Sequence, residues 1–265
     1  MRSELCQRSL KGRIKLKVAI FGANGYLGRA LSMYLNHNDV ETISFSHSKE
    51  NSSTSTTQQF TLDNPQLPQE ADFTHLIYLS WSTQRDEKSQ KNSSLAAKKV
   101  AQWAGAHEVS PIFISSMAAY PNAPRSNYGK EKRKAEGYFL QENGKVIRPG
   151  TIHALNGDGG SATSGLSKVM RIGKYPLQLL QPIRFPAIGE LEILQVIYGS
   201  LNDTEGVKNQ ILNSYSRIDT IQGLYKIKAG FIPIKFLHSL SIIFPAKIKD
   251  RIATLLDLSE LDLSN

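Results

Sequence analysis

The stretch Val18-Ala19-Ile20-Phe21-Gly22-Ala23-Asn24-Gly25-Tyr26-Leu27-Gly28 decides how the N-terminal half of this chain folds. The four apolar residues at its start are typical of a buried parallel strand. Apolar residues then recur at helical spacing, and this pattern predicts an amphipathic helix after Gly25; they are Leu27, Ala30, Leu31, Tyr34 and Leu35. The three glycines therefore lie in a turn between a strand and a helix.

A glycine turn in this context can hold the pyrophosphate of a dinucleotide. The first glycine permits a tight turn, the second lets the backbone approach the phosphates, and the third allows close packing of helix on strand. The N–H groups and the dipole at the helix N-terminus attract the anion. Because the glycine spacing is three and three, a purely structural turn is the alternative. The predicted cofactor contacts are Gly22, Asn24, Gly25, Tyr26, Leu27 and Gly28.

A second pattern can move a proton. Ser116 follows the apolar run Ile112-Phe113-Ile114, and ligands of open α/β sheets bind at the carboxyl ends of strands. Tyr128 and Lys132 are four residues apart and share one face of a helix. A free phenol has a pKa near ~10, and an ammonium about 4 Å away lowers such a value by about three units. This pattern predicts that Tyr128 is an acid/base and that Ser116 binds the reacting oxygen. The alternative is that the Tyr128 and Lys132 spacing arises by chance and that Ser116 merely ends a strand.

Together, the two patterns resemble the short-chain dehydrogenase/reductase superfamily, in its extended branch of NAD-dependent epimerases and dehydratases that modify nucleotide sugars. The similarity is most specific over residues 14–152. Besides the glycines, the matching features are the strand His75-Leu-Ile-Tyr-Leu79-Ser80, Asn92 on a helix, Ser116 four residues before Tyr120, Tyr128 with Lys132, and Arg148-Pro149-Gly150.

The resemblance implies roles for individual residues. Ser116 and Tyr128 take the catalytic positions, and Lys132 binds the cofactor ribose and tunes the tyrosine. Asn92 supports that lysine through water. Further cofactor contacts are expected from Leu79, Ser80 and Pro149.

The resemblance also implies an α/β architecture, a Rossmann-type doubly wound parallel sheet with a small C-terminal substrate-binding domain. The expected division is a cofactor-binding domain over residues 1–152 and a mostly helical substrate region over 153–265, closely packed on the first. Alternating apolar runs agree with this sheet. They predict strands near 14–21, 40–46, 57–62, 74–80, 110–115 and 145–148, and helices near 25–37, 92–107 and 126–141.

The choice between NADP and NAD depends on the end of the second strand. NAD-using members of the resembled family carry an acidic residue there, at or near the position of Ser46. No carboxylate occupies that position, and Lys49 with His47 can face a 2′-phosphate. We therefore predict NAD(P) binding with NADP favoured. NAD remains an alternative, because Glu50 could reach the adenosine ribose if the loop shifts. Lys49 is equally compatible with a solvated loop.

Basic residues in the second half are candidates for binding the diphosphate of a sugar nucleotide. Arginine matches two phosphate oxygens with its planar fork. Solvated helix faces are the alternative interpretation. The segment Phe185–Ile193 lacks the aspartates that the resembled family carries nearby, so the identity of the sugar stays open. The candidate residues for the diphosphate are Lys168, Arg171 and Arg184, and Ser116 is the candidate for contacting the reacting sugar.

Composition restricts the partners. The net charge of +9 and the pI of about 9.5 favour anionic ligands, but no nucleic-acid motif accompanies the basic residues, so nucleic acid is not an expected partner. Cys6 is the only cysteine and the histidines lack metal-ligand spacing, so we expect no metal site and a cytoplasmic location. The apolar stretch 231–244 is too short to span a membrane.

These observations lead to one main hypothesis and one rival. The main hypothesis is a cytoplasmic NAD(P)-dependent oxidoreductase or epimerase that acts on a nucleotide-linked carbohydrate, for example in polysaccharide biosynthesis. The resemblance also implies that the protein can form a homodimer. Met117 and Ala118 stand where a dehydratase would carry acidic residues, which favours a reductase or an epimerase. The rival is a non-catalytic NADP-binding sensor of the same fold.

Overall fold

The computed structural model describes residues 16–47, 57–120, 124–153, 181–202, 209–220, 230–231, 233–240 and 245–261. The strands are β1 (Lys17–Phe21), β2 (Glu41–Ser46), β3 (Thr57–Gln59), β4 (His75–Tyr78), β5 (Ser110–Ile114), β6 (Lys145–Pro149), β7 (Thr151–His153), β8 (Arg184–Gly189), β9 (Ile211–Ser214) and β10 (Arg217–Thr220). The helices are α1 (Tyr26–His37), α2 (Glu87–Ala106), α3 (Asn127–Gln141), α4 (Glu190–Asn202), α5 (Ile234–Leu240) and α6 (Ala246–Ser259).

A seven-stranded parallel sheet forms the centre of the molecule, in the order β3-β2-β1-β4-β5-β6-β9. The strand order reverses between β1 and β4, and such a switch point is where doubly wound sheets bind ligands. Strand β9 comes from the C-terminal half of the chain and extends the sheet beside β6. A second sheet has the order β10-β8-β7.

Two hydrophobic clusters cover the faces of the large sheet. One cluster is rich in aromatic rings and packs α2 and α3 on the sheet; its Phe21 and Phe45 rings stack at 4.2 Å between centroids. The other cluster is mainly aliphatic and packs α1 and α4 on the opposite face. Because side chains alternate along each strand, Ala19 and Phe21 belong to the first cluster and Val18 and Ile20 to the second.

The structure confirms the predicted Rossmann-type α/β fold, and each predicted strand and helix has a counterpart. Helix α2 begins at Glu87, about one turn earlier than the apolar pattern indicates, because Asp86 caps it by accepting a hydrogen bond from the Ser89 backbone N at 2.8 Å. Residues 60–74 contain no helix. Among the helices that the structure describes, none is long and apolar enough to cross a membrane.

Candidate active site

The glycine turn follows β1 directly, at the carboxyl edge of the large sheet. Gly22 has a φ of +92°, a backbone conformation that residues other than glycine rarely adopt. A Cβ atom there would lie 2.9 Å from the backbone N of Ser80, and a Cβ atom on Gly28 would lie 2.2 Å from the Gly22 carbonyl oxygen. No side chain caps the first turn of α1 after Gly25. The turn is therefore tightly folded, and the N–H groups at the start of α1 suit a phosphate.

Other predicted cofactor residues lie along the same edge. Ser46 is buried at the end of β2, and Leu79 donates its backbone N–H to the Phe21 carbonyl at 2.8 Å. The Asn24 carbonyl accepts a hydrogen bond from Arg29 at 2.5 Å. Tyr26 donates its hydroxyl to the carboxylate of Glu190, at the start of α4. This carboxylate beside the turn was not predicted, because the residues are 164 positions apart.

Helix α3 holds Tyr128 in its first turn. Ser126 caps this helix, and its Oγ accepts a hydrogen bond from the Gly129 backbone N at 3.1 Å. A Cβ atom on Gly129 would lie 2.4 Å from the Ala118 carbonyl oxygen, so α3 packs very closely on the short 3-10 turn after β5. Ser116 begins that turn, and its Oγ accepts a hydrogen bond from the Ala118 backbone N at 3.2 Å. Ser116 and Tyr128, both half-buried, thus lie on adjoining segments.

Lys132 lies one turn further along α3 and is buried. Its Nζ donates to the Ile114 carbonyl at 2.8 Å and lies 4.3 Å from the centroid of the Trp81 ring. Burial lowers the pKa of Lys132 to about 7, although the Glu136 carboxylate acts in the opposite direction. Its Nζ is 6.0 Å from the centre of the Tyr128 ring. Burial therefore works against the ammonium form of Lys132.

The structure adds three residues to the site that the sequence did not reveal. The guanidinium carbon of Arg85 lies 3.9 Å from the centroid of the Tyr128 ring, and the Trp81 ring meets the same ring edge-on at 6.4 Å. Asp250 of α6 accepts a hydrogen bond from the Asn127 backbone N at 2.5 Å. Trp81 and Arg85 follow the carboxyl end of β4, which is a signal that sequence reasoning can use.

A buried charge network anchors α3 to the sheet behind the site. Arg148 of β6 donates to both carboxylate oxygens of Glu136, at 2.8 and 2.6 Å. The Ser115 hydroxyl donates to the same carboxylate at 2.6 Å. Because each of these buried groups has a charged or hydrogen-bonding partner, the network fixes the position of α3 relative to β5 and β6.

Residues 18–142 match the sequence model of the NAD dependent epimerase/dehydratase family. Over these residues the protein is similar to this family. A comparison with curated proteins found no match. The family model ends within the turn after α3, so the match covers the glycine turn and the Ser116, Tyr128 and Lys132 positions.

Solved structures with the same fold include enzymes with bound nucleotides. Human epimerase family protein SDR39U1, solved with NADPH, has a TM-score of 0.62 and 15% identity over 91% of this chain and 89% of that chain. UDP-N-acetylglucosamine 4-epimerase from Bacillus cereus has a TM-score of 0.60 and 13% identity over 91% and 99%. MoeE5, solved with UDP-glucose and NAD, has a TM-score of 0.63 and 14% identity over 79% and 80%. At these identities the similarity establishes the fold.

The remaining predicted residues lie elsewhere. The side-chain amide of Asn92 donates to Asp63 at 2.8 Å, on the side of α2 that faces the loop before β4, and this contact does not bring it to Lys132. Gln90 instead reaches the Lys132 surroundings, since its Oε1 accepts a hydrogen bond from Trp81 Nε1 at 2.7 Å. Arg184 is exposed at the start of β8, while Lys49, Lys168 and Arg171 lie outside the described residues. Pro149 ends β6 and is buried.

Proposed function

We propose that this protein is an NAD(P)-dependent enzyme that transfers hydride to or from a carbohydrate, and that the carbohydrate is nucleotide-linked. The observation that carries this proposal is the placement of Ser116, Tyr128 and Lys132 at the sheet edge that also holds the glycine turn. A proton-transfer residue next to a dinucleotide cradle is the arrangement that alcohol oxidation and carbonyl reduction require.

The glycine turn fits the cofactor for a structural reason. Gly22 and Gly28 let the turn fold tightly, because a Cβ atom on either residue would collide with backbone atoms of the protein. The first turn of α1 has no side-chain cap, and its N–H groups can bind the pyrophosphate. When bound, a nicotinamide dinucleotide would supply the hydride acceptor or donor.

The side chains around Tyr128 handle the proton in this proposal. In the oxidation direction, the Tyr128 phenolate accepts the proton of the substrate hydroxyl. The hydride leaves the carbon that bears this hydroxyl, so that a carbonyl forms. Ser116 donates a hydrogen bond to the oxygen that becomes the carbonyl. Lys132 binds the cofactor ribose, and its ammonium form stabilises the phenolate. Reduction is the reverse sequence.

We propose NADP as the preferred cofactor. Ser46 ends β2 without a carboxylate that would repel a 2′-phosphate. MoeE5 was solved with NAD and the human protein with NADPH, so the similarity supports a nicotinamide cofactor of either kind. Titration of the protein with NADH and NADPH, followed by the fluorescence of the reduced nicotinamide, tests the preference. Tighter binding of NADH would contradict it.

Replacement of Tyr128 by Phe tests the enzymatic function. We expect Tyr128→Phe to bind the dinucleotide as the original protein does and to lose at least about 100-fold in turnover, the effect expected for a missing acid/base. Tyr138→Phe is the matched control, because Tyr138 lies on the same helix and contacts Lys98 instead of the site. If the unaltered protein binds NADPH but turns over no nucleotide sugar, the binding-only alternative replaces this proposal.

The reaction type and substrate region form the finer part of the proposal. Met117 and Ala118 are buried and apolar directly after Ser116, which supports a reductase or an epimerase over a dehydratase. An epimerase leaves the cofactor unchanged after each turnover, whereas a reductase consumes it, and the absorbance of the reduced nicotinamide separates the two. We propose that the chain from residue 153 onward binds the sugar nucleotide. The contact of α6 with the Tyr128 helix supports this proposal.

A further inference from the structure

We propose that Arg85, held by Asp250 of α6, is a positioning residue for Tyr128 and supplies the permanent positive charge that stabilises its phenolate. This inference rests on the proposed function only in taking Tyr128 as the acid/base. It adds to the site a residue from the β4–α2 segment and one from the C-terminal helix.

The first argument is the geometry of the guanidinium. The Arg85 guanidinium carbon is 3.9 Å from the centroid of the Tyr128 ring, which is contact distance between a cation and an aromatic face. The Trp81 ring contacts Tyr128 edge-on at 6.4 Å. These two contacts restrict the orientation of the phenol ring, and with it the direction in which the hydroxyl points.

The second argument is charge. Arginine keeps its proton throughout the range in which enzymes work. Lys132 on the same helix as Tyr128 does not, because burial lowers the pKa of this lysine to about 7. Glu136, further along α3, is occupied by Arg148. From α6, Asp250 and Arg251 face Arg85 with opposite charges. Among these groups, Arg85 is the cation in direct contact with the phenol ring.

The third argument is the anchor supplied by α6. Asp250 Oδ1 accepts the Asn127 backbone N–H, next to Tyr128, and Asp250 Oδ2 lies 4.0 Å from Arg85 Nη1. Asp250 Oδ2 and Arg85 Nη1 are both buried, and neither atom makes a hydrogen bond within the structure. One carboxylate thus holds the backbone beside Tyr128 and provides the counter-charge of the guanidinium. The C-terminal helix is therefore coupled to the acid/base.

Phenolate titration of the full-length protein without cofactor tests the inference. The near-ultraviolet absorbance of Tyr128 is obtained as the difference between each protein and the same protein carrying Tyr128→Phe. We expect Arg85→Gln to move the midpoint of this titration upward by about one pH unit, the order of a single close charge after solvent screening. Arg85→Lys should restore at least half of the shift, because it keeps the charge. Asp250→Asn should change the midpoint through the loss of the anchor.

Asp257→Asn is the matched control. Asp257 also lies on α6 and binds α3, but it accepts its hydrogen bonds from the Arg125 and Ser126 backbones and from the Ser126 hydroxyl. We expect this variant to lose stability and to keep the Tyr128 midpoint. Equal shifts in Arg85→Gln and Asp257→Asn would show a structural effect only and would overturn the inference, as would an unchanged midpoint in Arg85→Gln.

Kinetics provide the second readout. If Arg85 acts through Tyr128, Arg85→Gln displaces the pH profile of kcat to higher pH and leaves KM nearly unchanged. A raised KM with an unmoved titration would make Arg85 a substrate-binding residue and would overturn the proposal. Since the titration needs no substrate, it remains informative if no nucleotide sugar is turned over, and failure of the proposed function is then distinguishable from failure of this inference.

Discussion

The glycine turn and the Tyr128 site lie at the same edge of the parallel sheet, but they are constructed differently. The turn is one contiguous segment, residues 22–28, whose first and last glycines pack against backbone atoms of the turn itself and of the segment after β4. The Tyr128 site combines residues from four separate segments, which supply Arg85, Ser116, the start of α3 and Asp250. The turn thus depends on the absence of side chains, whereas the site depends on which side chains are present.

The largest expected effect comes from a single methyl group in the turn. Gly28→Ala would place a Cβ atom 2.2 Å from the Gly22 carbonyl oxygen and 2.7 Å from that of Ala23. We expect the displaced turn to cost about 3 kcal/mol, so that dinucleotide binding weakens roughly 100-fold. Fluorescence titration with NADPH measures this loss.

Gly137→Ala is the control for that experiment. A Cβ atom at Gly137 meets nothing within 4 Å, so this variant should bind the dinucleotide normally and gain about 0.5–1 kcal/mol in stability from better helix propensity. Comparable loss of binding in both variants would mean that the close backbone approach at Gly28 is not the property that the turn requires.

The second effect is a pH dependence of stability at Lys132. Its pKa is about 7 in the folded protein and 10.5 in its ordinary state. Below about pH 7, Lys132 is protonated in both the folded and the unfolded protein, and the cost of burying its charge is fully present. Between the two pKa values only the unfolded chain keeps this proton. The free energy of unfolding therefore rises by about 1 kcal/mol per pH unit in that range. Relative to Lys132→Met, the unaltered protein should gain about 2–3 kcal/mol between about pH 7 and about pH 9.

Urea denaturation of both proteins over that range measures the difference. A difference that does not change with pH would show that Lys132 titrates at its ordinary pKa and is therefore fully charged at neutral pH. In that case Lys132 alone would supply the charge that the sequence argument assigns to it, and the contrast with Arg85 would disappear.

The smallest effect is expected at Asn92. Its amide binds Asp63 on an exposed part of α2, and loss of such a hydrogen bond costs about 1 kcal/mol or less. We expect Asn92→Ala to change turnover by less than about twofold, while Gln90→Ala, which removes the acceptor of Trp81, should reduce it more. A tenfold or larger loss in Asn92→Ala would instead support the water-mediated contact with Lys132 that the family resemblance implies.

Sequence reasoning succeeded where the signal is local. Strand β1, the glycines and helix α1 form one continuous pattern, and Tyr128 with Lys132 forms another on α3. It did not find Arg85, Asp250 or Glu190, whose partners are far away along the chain: Asp250 binds a residue 123 positions away and Glu190 one 164 positions away. Such pairs have no periodicity, because only the packing of helices brings them together.

By itself, the sequence determined the parallel sheet, the position of the glycine turn and the candidate proton-transfer residues, because apolar spacing and glycine content act over a few residues. Only the tertiary structure decided the electrostatics of the site. Burial of Lys132 beside Trp81 lowers the pKa of this lysine, and α6 brings Asp250 close to the Arg85 guanidinium on the Tyr128 ring. Charge and pKa depend on what surrounds a group in three dimensions, and those surroundings come from segments that the chain separates.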